Sequence, residues 1–223
     1  MKKTFVLSLL SLLIQNILAQ KIHLNKDSRI EPINVVVNHT NLQGKKVVEI
    51  IKDASIPAPS KPTFGKIKDI EFQDGIIELR MYSSILIGAP EQARGFIGVA
   101  FRISEDNSQF ECIYLRPRNG RDTNQLRRNH STQYFAYPEY TFSKLRKESS
   151  GMYESYADME LNTWIHIRIE VVNQTAKLYI NKNKQPALII SDLKNTSQTK
   201  GYIGLFVDNG TKGYFKDLKI IHY

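Results

Sequence analysis

The sequence contains a single cysteine, Cys112. One thiol cannot form a disulfide within the chain, and a zinc site built on thiolates needs more than one. The sequence also has no G-x-S-x-G nucleophile motif, no H-E-x-x-H zinc motif and no phosphate-binding loop. We therefore expect a fold stabilised by packing alone, with no metal site and no cofactor.

Long apolar runs are absent except at the N-terminus, where Lys2 and Lys3 precede an apolar stretch over residues 5–18 that ends before Ala19. A short basic region, an apolar run and a small residue are typical of a secretory signal peptide. The stretch is short for a spanning helix and contains Gln15 and Asn16, which are costly in hydrocarbon. The sequence thus predicts a signal peptide at residues 1–19, one domain at residues 20–223, no membrane span, and a secreted or periplasmic location.

Acidic residues are outnumbered, with 31 Lys and Arg against 22 Asp and Glu in the whole chain. Such a charge admits nucleic acid, acidic lipid headgroups or an anionic polysaccharide as a partner. Export argues against nucleic acid, and no recognition helix, RNP-like aromatic pattern or zinc spacing is visible. Carbohydrate is the expected partner, with an anionic polysaccharide as the finer expectation.

Amphipathic helical patterns longer than two turns are also lacking. Short runs of period-2 alternation, separated by turn residues, instead indicate an all-β antiparallel two-sheet sandwich or jelly roll. Two stretches lack this pattern: the proline-containing residues 54–62, which we expect to cross the surface, and residues 118–158. Long irregular segments in compact domains are commonly functional. The predicted strands lie near residues 33–37, 47–53, 72–81, 97–103, 110–115, 161–172, 177–181, 187–193, 202–207 and 214–221.

The central hairpin, residues 95–117, carries the candidate site. Alternation over residues 97–103 sends Ile97, Val99, Phe101 and Ile103 to one face and Arg102 to the other. The next run likewise places Tyr114 and Arg116 opposite Ile113 and Leu115. If the aliphatic face is buried, then Arg102, Tyr114 and Arg116 share a surface that can accept a ring-shaped ligand. The alternative is that these arginines are solvated or paired with neighbouring carboxylates.

The order FQDGIIELRM, GFIGVAFR, FECIYLRP, LNTWIHIRIEV, KLYIN, KGYIGLFV and GYFKDLKI resembles the concanavalin A-like lectin/glucanase superfamily, which includes laminin G-like domains. It is also similar to exported bacterial sugar hydrolases of the 3-keto-disaccharide hydrolase type. The resemblance implies two curved sheets with glycan contact on the concave face or at its rim. It extends over most of the chain, but it is specific for fold rather than activity.

Retaining glucanases of this superfamily resemble one another in an E-x-D-x-x-E run, which would place two carboxylates about 5 Å apart. That run is absent here, and Glu111 stands alone in FECIYL. A sugar hydrolase would need Glu111 or another acid beside Arg102 and either His130 or His166. Glu111 is the catalytic candidate, and the turn at Asp208 is interpreted as a hairpin rather than a calcium site.

Carbohydrate recognition without catalysis is the leading hypothesis from sequence. Sugar rings pack on aromatic side chains, and hydroxyl or carboxylate groups take hydrogen bonds from arginine. A glycosidase-like enzyme and a laminin G-like adhesion module are the alternatives. Basic residues in the long irregular segment would favour an anionic glycan; they are Arg118, Arg121, Arg127 and Arg128. The predicted ligand-binding residues are Arg102, Tyr114, Arg116, Gln133 and Tyr134.

Overall fold

The computed structural model describes residues 19–24, 29–56 and 58–223. The predicted signal peptide lies outside these residues, apart from Ala19. No helix within the described ranges is both long and apolar enough to span a membrane.

Strands are numbered along the chain and form two antiparallel sheets. The first sheet has the spatial order β13 (Leu188–Ile190), β12 (Thr175–Ile180), β11 (Ile165–Val172), β6 (Gly75–Ile85), β15 (Thr211–His222), β4 (Lys45–Lys52) and β3 (Val35–Leu42), with β1 (Ala19–Lys21) paired to β15. The second sheet has the order β10 (Glu154–Ser155), β9 (Thr132–Tyr137), β8 (Phe110–Leu115), β7 (Ile97–Ile103), β14 (Gly201–Val207), β5 (Phe64–Phe72) and β2 (Ile30–Ile33). The predicted all-β two-sheet sandwich is confirmed.

The core lies between the two sheets and follows the period-2 alternation of the sequence. The β11 strand buries Ile165, Ile167, Ile169 and Val171, each at most 1% exposed, while the residues between them are partly exposed. Close packing across the core is visible at Gly213 of β15, where an added Cβ would lie 2.6 Å from Val207 in the second sheet. One face of each sheet therefore supplies the core. The other face of the second sheet is also largely covered, and it carries the buried rings of Phe110, Tyr114, Phe135 and Phe206.

Residues 118–158 contain more regular structure than the sequence pattern predicted. They include α1 (Gln125–Asn129), α2 (Phe142–Glu148), the short β10 and the complete strand β9, and a 3-10 turn at Pro117–Asn119 lies at their start. The β9 strand pairs with β8 and extends the second sheet beyond the predicted hairpin. The segment therefore supplies a strand of the sheet as well as the two helices that flank its face.

A β-bulge interrupts β7 at Arg102. Ala100 pairs with Gly204 and Ile103 pairs with Tyr202, so three residue steps on β7 oppose two on β14. Arg102 has a φ of 52°, which is uncommon for a residue with a side chain. The bulge shifts the alternation by one residue, so the side chains after Phe101 do not lie on the faces that simple alternation predicts.

Candidate functional site

Three of the five predicted ligand-binding residues come together on the outer face of the second sheet. Tyr114 on β8 lies directly opposite Gln133 on β9. The Arg116 Nη2 donates to the Tyr114 hydroxyl at 2.6 Å and to Gln133 Oε1 at 3.2 Å, and its Nη1 donates to the His130 carbonyl at 3.0 Å. The guanidinium is thus fixed in position by three oxygen acceptors.

The other two predicted binding residues lie elsewhere. Tyr134 pairs with Ile113, which places it on the core-facing side of the sheet. Its hydroxyl donates to Glu111 Oε2 at 2.5 Å and accepts from the Lys194 N–H at 2.8 Å. Both Tyr134 and Glu111 are fully buried, so the structure places neither the tyrosine nor the catalytic candidate at a surface that a sugar could reach.

Arg102 is turned away from Tyr114 and Arg116 by the bulge, so the expected shared surface is not formed. Its side chain donates to the Gln73 carbonyl at 3.1 Å, to Asp74 Oδ1 at 3.0 Å and to the Asn173 carbonyl at 2.7 Å. These acceptors lie in the β5–β6 and β11–β12 turns at one end of the sandwich. Arg102 therefore connects the second sheet to the turns at this end of the sandwich. It is paired with a carboxylate, as the alternative interpretation of the sequence expected.

A cleft opens above Tyr114 and Arg116, with a volume of about 590 Å³. We call it the Arg116 cleft. Its size falls within the range of small-molecule sites, roughly 300–1,000 Å³. Its walls carry three aromatic rings and four guanidinium groups, which belong to Phe96, Tyr114, Phe142, Arg94, Arg116, Arg127 and Arg146.

Packed aromatic rings form the floor of the cleft. The Tyr114 ring contacts Phe96, Phe135 and Phe206 at centroid distances of 6.2, 5.8 and 5.7 Å. Gly98 lies opposite Tyr114 on β7, and an added Cβ there would come within 2.5 Å of the Tyr114 Cβ. The glycine of the GFIGVAFR motif therefore lets the tyrosine lie close against the neighbouring strand. Burial raises the pKa of Tyr114 to about 12, so its hydroxyl stays protonated at neutral pH.

A buried carboxylate, Glu154, lies behind the cleft and binds three cationic or titratable groups. Arg146 donates to it at 2.6 Å, His130 Nε2 lies 3.1 Å from its Oε1, and Arg116 Nη1 lies 3.9 Å from its Oε2. The Glu154 side chain is only 3% exposed. Glu154 thus places its negative charge directly beside the His130 ring.

Burial and the neighbouring guanidinium groups favour the neutral form of His130. Desolvation is the largest influence on the pKa of His130 and lowers it from the ordinary value of a histidine, and the charges of Arg146 and Arg116 act in the same direction. Glu154 opposes them. His130 is therefore a neutral imidazole at pH 7, which is the form a general base requires.

A second carboxylate in the cleft, Asp208, is already paired. Lys52 donates to its Oδ1 at 2.6 Å, and the Ser60 N–H donates to its Oδ2 at 3.0 Å. Lys52 also donates to the Ala58 carbonyl at 2.7 Å. Asp208 thus fastens the proline-containing loop, and Pro59 of that loop lines the cleft.

Sequence reasoning missed Glu154 and Arg146, and it weighed His130 only as an accessory to Glu111. It also missed Asn119, which lines the cleft and donates to the His130 carbonyl at 3.3 Å. The signal that could have found them is the long segment of residues 118–158, which supplies all four. His166 lies away from this cleft and pairs with Glu78 at 2.8 Å across β11 and β6 of the first sheet.

The arginines predicted to form one basic patch are dispersed. Arg127 lines the cleft, whereas Arg121 forms surface ion pairs with Asp158 at 2.8 Å and Glu160 at 3.0 Å. Arg128 donates to the Tyr156 hydroxyl at 2.9 Å, and Arg118 donates to the Ala93 carbonyl at 3.3 Å. The positive charge that faces the cleft therefore comes mainly from Arg94, Arg116, Arg127 and Arg146.

Solved structures with a similar fold include a protein from Parabacteroides distasonis assigned as a glycosyl hydrolase. It is 15% identical, with a TM-score of 0.52, and the match covers 87% of this chain and 100% of that one. A Bacillus subtilis protein with a galectin-like fold is 14% identical, with a TM-score of 0.50, and the match covers 89% of this chain and 92% of that one. No protein among the curated sequences matches the chain.

The family comparison is more specific than the likeness in fold. The family described as "3-keto-alpha-glucoside-1,2-lyase-like domain" matches residues 38–221. This range includes every side chain named above in the Arg116 cleft. The chain belongs to the family of 3-keto-alpha-glucoside-1,2-lyase-like domains.

Proposed function

We propose that the chain binds a 3-keto-α-glucoside in the Arg116 cleft and eliminates its C1 substituent. The single observation that carries the proposal is the neutral His130 held by buried Glu154 at 3.1 Å beside an arginine-lined cleft. Family membership suggests the substrate class, and the aromatic floor with fixed guanidinium groups suits a sugar ring that bears a carbonyl.

The elimination requires two groups of the protein, a base that removes a proton and a cation that stabilises an enolate. A carbonyl at C3 acidifies the proton on C2, and the unprotonated ring nitrogen of the neutral His130 imidazole removes that proton. The imidazolium that forms is stabilised by the charge of Glu154, 3.1 Å from the ring. The electrons pass to the C3 oxygen as an enolate, which a guanidinium group of the cleft stabilises. The enolate then reforms the carbonyl, a C1–C2 double bond forms, and the C1–O bond breaks with its electron pair on the departing oxygen.

The test is elimination from methyl 3-keto-α-glucoside by the purified chain, followed by the ultraviolet absorbance of the unsaturated ketone. We expect His130→Gln to lower kcat by roughly 10² to 10⁴-fold, the range for loss of a general base. Deuterium from heavy water should enter C2 of recovered substrate with the wild type and not with the variant. His166→Gln is the matched control and should retain the wild-type rate. Equal rates for His130→Gln and the wild type would exclude His130 as the base.

Recognition of an anionic sugar without catalysis is the second candidate, and four guanidinium groups on the cleft wall favour it. A uronic or sulfated glycan would bind them through charge-assisted hydrogen bonds. A glycan array of neutral and anionic sugars, read at low and high salt, tests this candidate. Salt-sensitive binding to acidic glycans, lost in Arg146→Ala, supports it, whereas an array without any bound anionic glycan contradicts it.

Export is part of both proposals. The basic and apolar pattern of residues 1–19 supports it, and an extracellular or periplasmic glycoside would then be the natural ligand. Expression with and without residues 2–19, followed by fractionation, tests the location. The protein should appear outside the cytoplasm only when these residues are present.

A further inference from the structure

A second hollow adjoins the Arg116 cleft on the other side of His130. We call it the Tyr156 groove; its volume is about 340 Å³, and Leu126, Asn129, His130, Glu154, Ser155 and Tyr156 line it. His130 lines both hollows, and Glu154, whose Oε1 lies 3.1 Å from His130 Nε2, lines the groove. A ligand whose sugar lies in the cleft can therefore extend past the imidazole into the groove.

The groove presents apolar surface that nothing in the described structure covers. Leu126 is 64% exposed and Tyr156 is 41% exposed. Large apolar side chains left open beside a polar site commonly mark a binding surface. These two therefore give one side of the groove an affinity for an apolar group rather than for a hydrated sugar.

The Tyr156 ring is held in place before any ligand arrives. Arg128 Nη2 donates to its hydroxyl at 2.9 Å, and the Arg128 guanidinium lies 4.8 Å from the ring centre. A fixed ring stacks on a ligand with less loss of side-chain freedom than a mobile one. This arrangement suits an aromatic ligand in particular.

The proposed elimination also bears on which leaving group departs most readily. The proton that His130 takes from C2 stays on its imidazole, which lines both hollows, and it passes from there to the departing oxygen. A phenoxide is a more stable anion than an alkoxide and so depends less on this proton. Its ring is also the part of a leaving group that the apolar side of the groove can contact.

We propose that the Tyr156 groove is the leaving-group subsite and that the preferred substrates are glycosides of phenols. The inference rests on the proposed elimination in the Arg116 cleft. The sugar occupies the cleft, its C1–O bond lies beside His130, and the aromatic ring of the leaving group packs between Leu126 and Tyr156.

The experiment compares kcat/KM for 4-nitrophenyl 3-keto-α-glucoside and methyl 3-keto-α-glucoside in each variant. The ratio of kcat/KM for the aryl compound to that for the methyl compound is divided by the same ratio in the wild type. This removes the intrinsic difference in reactivity between the two leaving groups. We expect the double variant Leu126→Ala and Tyr156→Ala to lower the aryl-to-methyl ratio by about tenfold, the order of a lost aromatic contact. Ile189→Ala, an exposed apolar control on β13, should leave the ratio unchanged. Tyr156→Phe keeps the ring but loses the hydrogen bond from Arg128, so it should lower the ratio less than the double variant does.

An unchanged ratio in the double variant overturns the subsite, even if the elimination itself is confirmed. If the wild type eliminates neither compound, the proposed function fails instead. Calorimetry with 4-nitrophenyl α-glucoside then decides on the groove alone. Tighter binding of this compound than of methyl α-glucoside, lost in Tyr156→Ala and kept in Tyr156→Phe, supports it, and equal binding by all variants overturns it.

Discussion

Arg102 and Arg116 lie in the same β7–β8 hairpin region, are almost equally buried at 1% and 5% exposed, and yet have different roles. Arg102 donates to a carboxylate and two backbone carbonyls at the end of the sandwich. Arg116 donates to a tyrosine hydroxyl, a glutamine and one carbonyl at the floor of a cleft. Burial alone therefore does not distinguish an arginine enclosed at the end of the sandwich from one at the floor of an open cleft.

The hydrogen-bond and ion-pair partners distinguish Arg102 from Arg116. The Arg102 guanidinium forms an ion pair with Asp74, and the two turns that supply its hydrogen-bond acceptors bury it. The charge of Arg116 lies near that of Arg146 and shares only one carboxylate, Glu154, with Arg146 and His130. The cleft keeps excess positive charge, whereas the end of the sandwich does not. Excess charge beside an open hollow indicates a place for an electron-rich ligand.

The largest expected effect is on stability, from Arg102→Met. The substitution keeps the apolar length of the side chain but leaves Asp74 and two carbonyls without their donor. We expect a loss of about 3 kcal/mol in the free energy of unfolding, the lower end for a broken buried ion pair, because Asp74 is partly exposed. Urea denaturation measures this loss. Sugar binding by the folded fraction should be unchanged, and a loss of binding without a loss of stability would reverse the roles of the two arginines.

Arg116→Met is the corresponding substitution at the second arginine. It leaves only neutral acceptors without a donor, since Glu154 keeps Arg146 and His130. We expect a stability loss of about 1–2 kcal/mol, together with at least a tenfold fall in kcat/KM for the 3-keto-glucoside. Denaturation and kinetics on the same preparation test both parts. A variant with normal kcat/KM would show that the guanidinium serves the fold only.

Sequence reasoning predicted the sheets well because alternation reports directly on burial. Alternation put Tyr114 and Arg116 on one face, but Gln133 lay in the segment predicted to be irregular, and its position beside them depends on β9. Sequence reasoning failed at Arg102, because a β-bulge at a residue with positive φ has no glycine to announce it. It also could not pair His130 with Glu154. His130 precedes β9 in the chain and Glu154 follows it, so the two side chains meet only because β9 has joined the sheet.

The next effect is a shift in pH dependence. The pKa of His130 in the folded chain is lowered, so the unfolded chain binds more protons as the pH falls below about 6.5. The contribution of His130 to the free energy of unfolding is therefore complete above that pH and declines as the pH falls through the pKa of His130 in the folded chain. In Arg116→Met one of the cations that lower this pKa is removed, and the acidic limb of the rate profile should move to higher pH. His130→Gln, followed by denaturation at several pH values, should lack this part of the stability profile.

The smallest expected effect concerns Glu111, the catalytic candidate from sequence, which lies on the Arg102 side of the comparison. Burial raises its pKa, partly offset by the Tyr134 hydroxyl, the Asn195 N–H and the charge of Arg102. Stability from this group is therefore present at low pH and lost as the pH rises from about 4.5 through the folded pKa. Glu111→Gln removes that dependence and exchanges one hydrogen bond to Tyr134, so we expect a stability change within about 1.5 kcal/mol.

Elimination by Glu111→Gln should proceed within twofold of the wild-type rate, roughly 0.4 kcal/mol, because the side chain faces the core and the proposed site of the reaction lies on the opposite face of the sheet. Kinetics at pH 7 with matched folded protein measures it. A large loss of kcat with stability intact would place the chemistry inside the sandwich, and the division between a structural end and a binding cleft would then be wrong.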